Sequence, residues 1–238
     1  MNLEEYRQAI TPHTKITVLS GAGISAASGI PTFRSGEDAL WSQYRPEELA
    51  TAKAFHADTE LVWKWYDWRR QLIAQSQPNA AHHALVDLEK KADLVIVTQN
   101  VDGYHQQAGS TTVHEFHGSI WRVRCLDCGY ERYERQTPLP GLPHCEKCGG
   151  LERPAVVWFG EGIDPKIMDA SFAAAADCDL FLVVGTAGAV YPAASLVDAA
   201  VNGGAQVIDF NLERSEVSHL AHLFVAGSAA DTLVDLVP

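Results

Sequence analysis

The chain has 238 residues, which is enough for one large domain or one domain with a smaller insert, and its composition is that of an ordinary globular protein. It has 18 lysine and arginine residues against 30 aspartate and glutamate residues, and this net charge of −12 argues against a protein that binds the phosphate backbone of nucleic acids. There is no apolar run of transmembrane length, and the N-terminus lacks the basic and apolar regions of a signal peptide, so we expect a cytoplasmic protein that does not associate with membranes.

A strand and a glycine turn form the first informative pattern along the chain. A short helix is predicted within residues 1–14 and a strand at 15–20. Gly21, Gly23 and Ala26 then follow the spacing of dinucleotide sites, in which glycine permits a tight turn and lets a pyrophosphate approach the backbone at a helix N-terminus. Small residues satisfy this spacing often, so the pattern alone fits a turn without a ligand equally well.

An unusual loop follows this turn. Pro31 stops or kinks the helix, because proline lacks the amide hydrogen that a helix interior needs. Phe33 and Arg34 are therefore predicted to lie on a rigid loop close to the phosphate site.

Two helices are predicted before the second strand. One spans 59–75, and Asn79 is placed to cap another at about 80–91. The apolar stripe predicted for the first of these helices consists of Leu61, Trp65, Trp68 and Leu72.

Strands that alternate with helical segments predict an α/β fold with a mostly parallel, doubly wound sheet. The further strands are predicted at 93–98, 112–116, 155–158, 180–184, 205–210 and 222–225. Ligands of such sheets bind outside the carboxyl ends of the strands, so polar or glycine-rich strand exits are candidate site residues. These exits are Ser20 to Gly23, Thr98 to Asp102, Gly185 to Ala187 and Asn211 to Glu213.

Four of the five cysteines form two Cys-x-x-Cys pairs within an insert at 121–153 that is rich in arginine, proline and glycine. Two such pairs can hold one zinc ion in a tetrahedral site, and four thiolates leave no open position for catalysis, so the zinc would be structural. The ligands are Cys125, Cys128, Cys145 and Cys148. A nucleic-acid zinc ribbon is the competing interpretation, but glutamates alternate with the arginines, and a solvated face of mixed charge is favoured.

The residues before this insert include a candidate general base. His117 lies at a predicted strand exit next to Gly118, which permits a turn, and histidine is suited to proton transfer near neutral pH. His114 is a rival three positions earlier, and the spacing alone does not choose between them.

Other polar side chains at the strand exits suit a nucleotide. Gln99 and Asn100 could orient ribose hydroxyls or a carboxamide, and Asp102 could accept a hydrogen bond from an amide. A simple turn explains Asn100 and Asp102 equally well, because both residue types favour turns. Glu213 is a candidate acceptor for a ribose hydroxyl, but it lies far from the usual position of the Rossmann acid, about twenty residues after the glycine turn, which speaks against an ordinary dehydrogenase.

Taken together, these motifs resemble the sirtuins, NAD-dependent protein-lysine deacylases, over essentially the whole chain. The matching motifs are Gly21 to Ser25, Gly29 to Arg34, Thr98 to Asp102, Phe116 to Gly118, the four paired cysteines, Val156 to Glu161, Gly185 with Thr186, and Asn211 to Glu213. The resemblance implies a Rossmann-like NAD-binding large domain at 1–35, 88–118 and 154–238, and a small domain with a helical module at 36–87 and a zinc module at 119–153.

The resemblance also implies roles for the matching positions. His117 would be the general base and Asn100 a second catalytic residue. The implied NAD-binding residues are Gly21, Ala22, Gly23, Ser25, Phe33, Arg34, Gln99, Asn100, Val101, Asp102, Gly185, Thr186, Ala187, Asn211, Leu212, Glu213 and Ala229. The implied substrate-binding strand edge consists of Val157, Trp158, Phe159 and Gly160, which would pair with an acylated-lysine peptide. Ala187 departs from the family's usual serine, which removes one possible hydrogen bond to NAD, worth about 1 kcal/mol.

Tyr66 and Arg69 stand at positions i and i+3 of the helix predicted at 59–75. Without the resemblance, a surface arginine beside an aromatic ring is the simpler interpretation. Within the family, this Tyr-x-x-Arg pair looks like the branch that binds the carboxylate of succinyl-, malonyl- or glutaryl-lysine, for which guanidinium and phenol groups are suited. The expected products are free lysine, nicotinamide and O-acyl-ADP-ribose. A protein ADP-ribosyltransferase and a catalytically silent NAD sensor are the alternatives.

Overall fold

The computed structural model describes residues 1–30 and 46–238, and two β-sheets organise this part of the chain. The strands are β1 (Lys15–Ser20), β2 (Asp93–Thr98), β3 (Val113–Glu115), β4 (Gly118–Cys125), β5 (Glu131–Tyr133), β6 (Glu152–Val156), β7 (Leu180–Val184), β8 (Gln206–Asn211) and β9 (Leu223–Ala226). The larger sheet has the order β3-β2-β1-β7-β8-β9, and every neighbouring pair in it is parallel. The predicted α/β fold with a doubly wound sheet is therefore confirmed.

The helices follow from caps that can be read in the sequence. They are α1 (Leu3–Ala9), α2 (Ala22–Ser25), α3 (Pro46–Leu49), α4 (Ala52–Ala57), α5 (Thr59–Gln75), α6 (Ala80–Glu89), α7 (Tyr104–Ala108), α8 (Pro165–Ala176), α9 (Ser195–Gly203) and α10 (Ala229–Thr232). The Asn79 side chain caps α6, and the Asp164 side chain caps α8, which has Pro165 in its first turn. None of the helices in the described residues is long and apolar enough to cross a membrane.

The larger sheet is covered on both faces, because successive side chains of each strand point to opposite sides. On β1, Val18 packs into a core cluster with residues of α6 and α10, whereas its neighbour Leu19 packs into a second cluster with residues of α8 and α9. Both side chains are fully buried, and burial of each contributes about 1.5–3 kcal/mol to folding.

The strand order reverses between β1 and β7. From β1 the chain proceeds outward to β2 and β3, and from β7 it proceeds outward in the other direction to β8 and β9. Ligands of open α/β sheets bind in the crevice at such a reversal, beyond the carboxyl ends of the strands. The turns after β1 and β7 therefore define where a ligand is expected.

A third core cluster joins helices α3 to α5 to the smaller, antiparallel sheet of order β5-β4-β6. Helix α5 has the predicted bounds, and its predicted apolar stripe lies partly in this cluster: Trp65 is buried in it, Leu61 and Trp68 are half-buried and pack against it, and Leu72 is half-buried. The buried residues of α5 are Val62, Trp63, Trp65, Tyr66, Arg70 and Ile73. Among them, Arg70 donates to the backbone carbonyls of 134 and 136, and hydrophobic periodicity does not register such a residue.

Candidate active site

Two turns meet closely at the strand-order reversal. The amide of Gly21 donates to the Val184 carbonyl at 3.0 Å, and the amide of Gly23 donates to the Gly185 carbonyl at 2.8 Å. A Cβ atom on Gly23 would lie 2.7 Å from the Cα of Gly185, and one on Gly21 would lie 2.7 Å from the Cβ of Thr186. Glycine is therefore required by the packing of the two turns, in addition to the ligand approach that the sequence suggested.

A buried hydrogen-bond network ties the exit of β2 to the glycine turn. The Ser25 hydroxyl donates to Asp102 Oδ2 at 2.8 Å, and the Asn100 side-chain amide donates to the Gly21 carbonyl at 3.0 Å. The amide of Tyr104 donates to the other carboxylate oxygen of Asp102 at 3.0 Å. Burial raises the pKa of Asp102, while the hydrogen bonds from Ser25 and Tyr104 act in the opposite direction. Asn100 and Asp102 are thus brought to the crevice, where they also stabilise a turn.

The exits of β2, β7 and β8 are joined by polar side chains. The Gln99 amide donates to the Thr186 hydroxyl at 2.9 Å, and the Asn211 amide donates to the Thr186 carbonyl at 3.0 Å. The four predicted strand exits thus converge, although Leu212 and Glu213 themselves are exposed at the end of β8.

The ring of His117 is fixed by the backbone beside this convergence. Its Nδ1 lies 3.0 Å from the Gln99 carbonyl oxygen, and an oxygen of this kind only accepts, so Nδ1 carries the proton. The basic nitrogen of the neutral ring is then Nε2. Burial lowers the pKa of His117, with the Gln99 contact acting weakly in the opposite direction, so the ring is neutral near pH 7. Gly118 has φ +77°, which favours glycine, and a Cβ there would collide with the Ala155 carbonyl.

His114 points elsewhere. Its Nδ1 lies 3.1 Å from the Ser171 hydroxyl on α8, whose own proton goes to the Ile167 carbonyl. It thus packs between β3 and α8, and the structure separates the two histidines that the spacing could not separate.

The predicted substrate edge follows β6, which spans Glu152–Val156, so the strand predicted at 155–158 begins three residues and ends two residues too late. The amides of this edge are occupied: Val157 donates to the His117 carbonyl at 2.9 Å, Trp158 to the Glu161 carboxylate at 2.9 Å, and Phe159 to the Ala50 carbonyl at 3.0 Å. A peptide that pairs with residues 157–159 would therefore meet carbonyl oxygens. Phe159 and Gly160 are exposed.

Tyr66 and Arg69 lie on the site side of α5. The Trp158 indole donates to the Tyr66 hydroxyl at 2.9 Å, and burial raises the pKa of Tyr66 to about 12. Burial lowers the pKa of Arg69, and Tyr66 and Asp102 are the groups whose charges act on it in the opposite direction. Arg69 also stacks at 5.0 Å over the ring of Trp65, so the simpler interpretation of an arginine beside an aromatic ring is realised as well.

Two contacts of the site were missed by motif matching. The Trp121 indole donates to the Asp102 carbonyl at 2.6 Å, and Arg153 pairs with Glu161 beneath the substrate edge. The residue type of Trp121 carries no signal for its contact, whereas Glu161 is the last residue of a matched motif and Arg153 lies three positions before that motif begins.

The remaining predicted residues lie as follows. Phe33 and Arg34 are outside the described residues. Ala22 and Val101 are half-buried beside the network, Ala187 is exposed, and Ala229 is buried in the core at the start of α10.

The four paired cysteines converge at the outer end of the smaller sheet. Their sulfur atoms all lie within 4.8 Å of one another, with individual separations of 3.4, 3.5 and 3.7 Å. Zinc–sulfur bonds of about 2.3 Å in a tetrahedron place the sulfurs about 3.8 Å apart, so the cluster fits one zinc ion. The ligands are Cys125, Cys128, Cys145 and Cys148.

Comparison with known proteins gives one consistent result. The sequence profile of the Sir2 family matches residues 21–192. An NAD-dependent protein deacylase of Aquifex aeolicus is 52% identical over 220 residues, which is 92% of this chain and 92% of the relative. One from Pyrococcus furiosus is 45% identical and covers 99% of this chain and 96% of the relative. A crystal structure of a Sir2 homologue in complex with NAD superposes with a TM-score of 0.91 at 41% identity, over 99% of this chain and 91% of that chain.

Proposed function

The chain belongs to the Sir2 family and is an NAD-dependent protein-lysine deacylase, and we propose that it removes succinyl and malonyl groups at least as well as acetyl groups. The observation that carries the proposal is the hydrogen bond from the Trp158 indole to the Tyr66 oxygen at 2.9 Å. Because this bond occupies Tyr66 as an acceptor, its own proton remains available for an acceptor on the substrate. With its pKa raised to about 12, the phenol keeps that proton, as a donor to a carboxylate must.

Arg69 supports the same substrate class. Arg69 is half-buried, and its charge interacts with both Tyr66 and Asp102. Arginine stays protonated even where burial lowers its pKa. An acyl group with a terminal carboxylate would be attracted by this charge and could receive hydrogen bonds from both side chains, whereas an acetyl group has no carboxylate for either to bind.

We assign the general base of the reaction to His117. With its Nδ1 proton donated to Gln99, the Nε2 lone pair is free to take a proton from a ribose hydroxyl. NAD, when bound, would supply the ribose carbon at which the acyl oxygen displaces nicotinamide; water would then release the free lysine, and the acyl group would leave as O-acyl-ADP-ribose. Asn100, whose amide is held by the Gly21 carbonyl and the Ser25 hydroxyl, is assigned to orienting that ribose.

The NAD-binding residues and the domain bounds are proposed from the motifs. The hydrogen bonds among the strand exits support the assignment of the NAD-binding residues. We propose a small domain formed by modules at 36–87 and 119–153, beside a large domain at 1–35, 88–118 and 154–238. The third core cluster supports a unit built from both modules, although it also includes Tyr104 and Trp158, and Ala81 and Leu85 pack in the core of the larger sheet. Cytoplasmic location and the absence of membrane and nucleic-acid binding stay predictions, the last of them resting on the net charge of −12. The family relationship does not favour an ADP-ribosyltransferase or a silent NAD sensor.

The acyl preference is tested with peptides of one sequence that carry acetyl- or succinyl-lysine, with NAD and product detection by mass spectrometry. We expect Arg69→Met and Tyr66→Phe to lower kcat/KM for succinyl peptide about tenfold or more relative to acetyl peptide, since each removes a hydrogen bond to a charged group. Arg135→Met is a matched control, because Arg135 stacks on Tyr133 at 5.4 Å in the zinc module, another arginine beside an aromatic ring. Equal loss of acetyl and succinyl turnover in Arg69→Met would show that Arg69 does not bind the carboxylate.

A further inference from the structure

We propose that Arg153 is a positioning residue that acts through Trp158 on the Tyr66 hydroxyl, and thereby sets the preference for acidic acyl groups over acetyl. The inference rests on the proposed function, since it requires Tyr66 to bind the acyl carboxylate. Arg153 lies on β6, beneath the substrate edge, and does not itself reach the acyl pocket through any hydrogen bond among the described residues.

The Arg153 guanidinium is fixed in position and orientation. Its side chain is only 5% exposed, and it forms a two-pronged pair with the Glu161 carboxylate at 2.5 and 2.9 Å. Two further donors go to the carbonyls of Pro154 at 3.2 Å and Val156 at 2.9 Å. A planar group held by four hydrogen bonds cannot rotate without breaking several of them, so it offers a rigid surface to whatever stacks on it.

The indole of Trp158 stacks on that surface. The central carbon of the Arg153 guanidinium lies 3.3 Å from the ring centroid, and the ring of Phe55 packs against the same indole at 5.2 Å between centroids. The Trp158 amide also donates to Glu161, at 2.9 Å, so Arg153 and Trp158 share one carboxylate. Backbone and side chain of Trp158 are therefore both held by the Arg153–Glu161 pair.

The fixed indole determines where the Tyr66 proton points. The only polar atom of the indole, Nε1, donates to the Tyr66 oxygen at 2.9 Å, so the donated hydrogen occupies one side of that oxygen. The Tyr66 proton is directed away from it. If the indole could tilt, the phenol could turn its proton toward other acceptors, and it would lose part of its hydrogen bond to the acyl carboxylate. Acetyl-lysine has no such carboxylate and is insensitive to this orientation.

Two substitutions interrupt the contacts that run from Arg153 through Trp158 to Tyr66, each at a different point. Arg153→Lys keeps the charge but removes the planar fork and the stacking surface. Trp158→Phe keeps a ring for Arg153 to stack on but removes the indole donor. The matched control is Arg132→Lys, because Arg132 forms a comparable two-pronged pair with buried Glu152 at 3.2 and 2.7 Å but lies on β5 and contacts neither Trp158 nor Tyr66.

The measurement is KM and kcat for acetyl and succinyl peptides of one sequence, with Tyr66→Phe assayed in parallel. We expect Arg153→Lys and Trp158→Phe each to reduce the succinyl-to-acetyl ratio of kcat/KM about fivefold to tenfold, mainly through the succinyl KM, since a hydrogen bond to a charged group is weakened. Arg132→Lys should leave the ratio unchanged. A merely structural role of Arg153 would lower both reactions in proportion.

The outcomes separate this inference from the proposed function. If Tyr66→Phe lowers the ratio but Arg153→Lys and Trp158→Phe do not, positioning by Arg153 is overturned and the acidic-acyl assignment stands. If Tyr66→Phe leaves the ratio unchanged, the proposed function itself fails. Should Arg153→Lys not fold, an unchanged ratio in Trp158→Phe would still overturn the inference, because that variant retains the Arg153–Glu161 pair and lacks only the indole donor to Tyr66.

Discussion

The Nδ1 atom of His117 lies 3.0 Å from the carbonyl oxygen of Gln99, the first residue after strand β2. This contact fixes the tautomer of the ring and places a neutral, basic Nε2 beside the strand exits. One backbone carbonyl thereby orients the base and ties it to the exit of β2, on which Asn100 and Asp102 also lie.

Activity should persist below the usual titration range of histidine. Because burial lowers the pKa of His117 below the ordinary value of about 6.5, more than half of the rings are neutral at pH 6.5, and half-protonation is reached only at lower pH. The acidic limb of kcat/KM against pH should therefore fall below that value.

His117→Ala should lower kcat by about a hundredfold or more. His114→Asn is the control, since its partner is Ser171, and an equal loss in that variant would contradict the assignment.

Substitution of Gly23 by alanine should destabilise the fold and weaken NAD binding at the crevice. The new Cβ would lie 2.7 Å from the Cα of Gly185, and backbone cannot move aside as a flexible side chain can. We expect a loss of about 2 kcal/mol or more in unfolding free energy, comparable with overpacking of a core, and a raised KM for NAD. Urea unfolding and NAD titration measure these effects. Gly141→Ala is the matched control, because nothing lies within 4 Å of its added Cβ; near-native stability and NAD affinity in Gly23→Ala would refute the packing argument.

The strands of the larger sheet could be predicted from sequence because each is a short, apolar run between turn residues. Strands β1, β2 and β7 have the predicted bounds. The burial of Arg70 on α5 could not be predicted, because it depends on carbonyls more than sixty residues away. Tertiary partners of polar groups leave no periodic signal.

The residue types in the candidate site could be predicted from the sequence, whereas the contacts that these residues make could not. The spacing that left His114 and His117 equal is resolved only by the fold, which turns one ring toward α8 and the other toward the exit of β2. The substrate edge was predicted to pair with a peptide, but the contacts of its amides at 157–159 with Glu161, Ala50 and the His117 carbonyl were not predicted. These contacts form because the chain turns after Val156, and the continuous apolar run at 155–158 gives no sign of that turn.

Removal of zinc should lower stability and activity together. Cys125 is the last residue of β4, and the first residue of that strand, Gly118, directly follows His117. The zinc site thus anchors the far end of the strand that begins at the base. Chelation or Cys148→Ser should lower the melting temperature and reduce kcat, and returning zinc to the chelated wild-type protein should restore both. If stripping zinc abolished activity at an unchanged melting temperature, the ion would have to act in the chemistry itself.

Two buried histidines should make folding stability depend on pH. His82 and His105 lie with ring centroids 5.1 Å apart, and burial lowers their pKa values to about 4 and about 3, while their mutual charge acts on His105 in the same direction. Their unfolded pKa is about 6.5, so below that pH the unfolded chain binds more protons than the folded one. The stability that the neutral pair contributes is present above pH 6.5 and falls as the pH drops toward 4, by up to about 1.4 kcal/mol per pH unit for each ring.

Urea unfolding between pH 7.5 and pH 5 measures this dependence. His105 contacts the Ser20 hydroxyl through Nε2 at 2.9 Å, so His105→Gln keeps a donor near that partner while removing one titrating ring. The variant should lose some stability at pH 7.5 but show a shallower slope, by about 1 kcal/mol per pH unit. His13→Gln, at an exposed position, should retain the wild-type slope. A slope unchanged in His105→Gln would mean that this ring does not titrate differently in the folded and unfolded states, and that other groups cause the acid sensitivity.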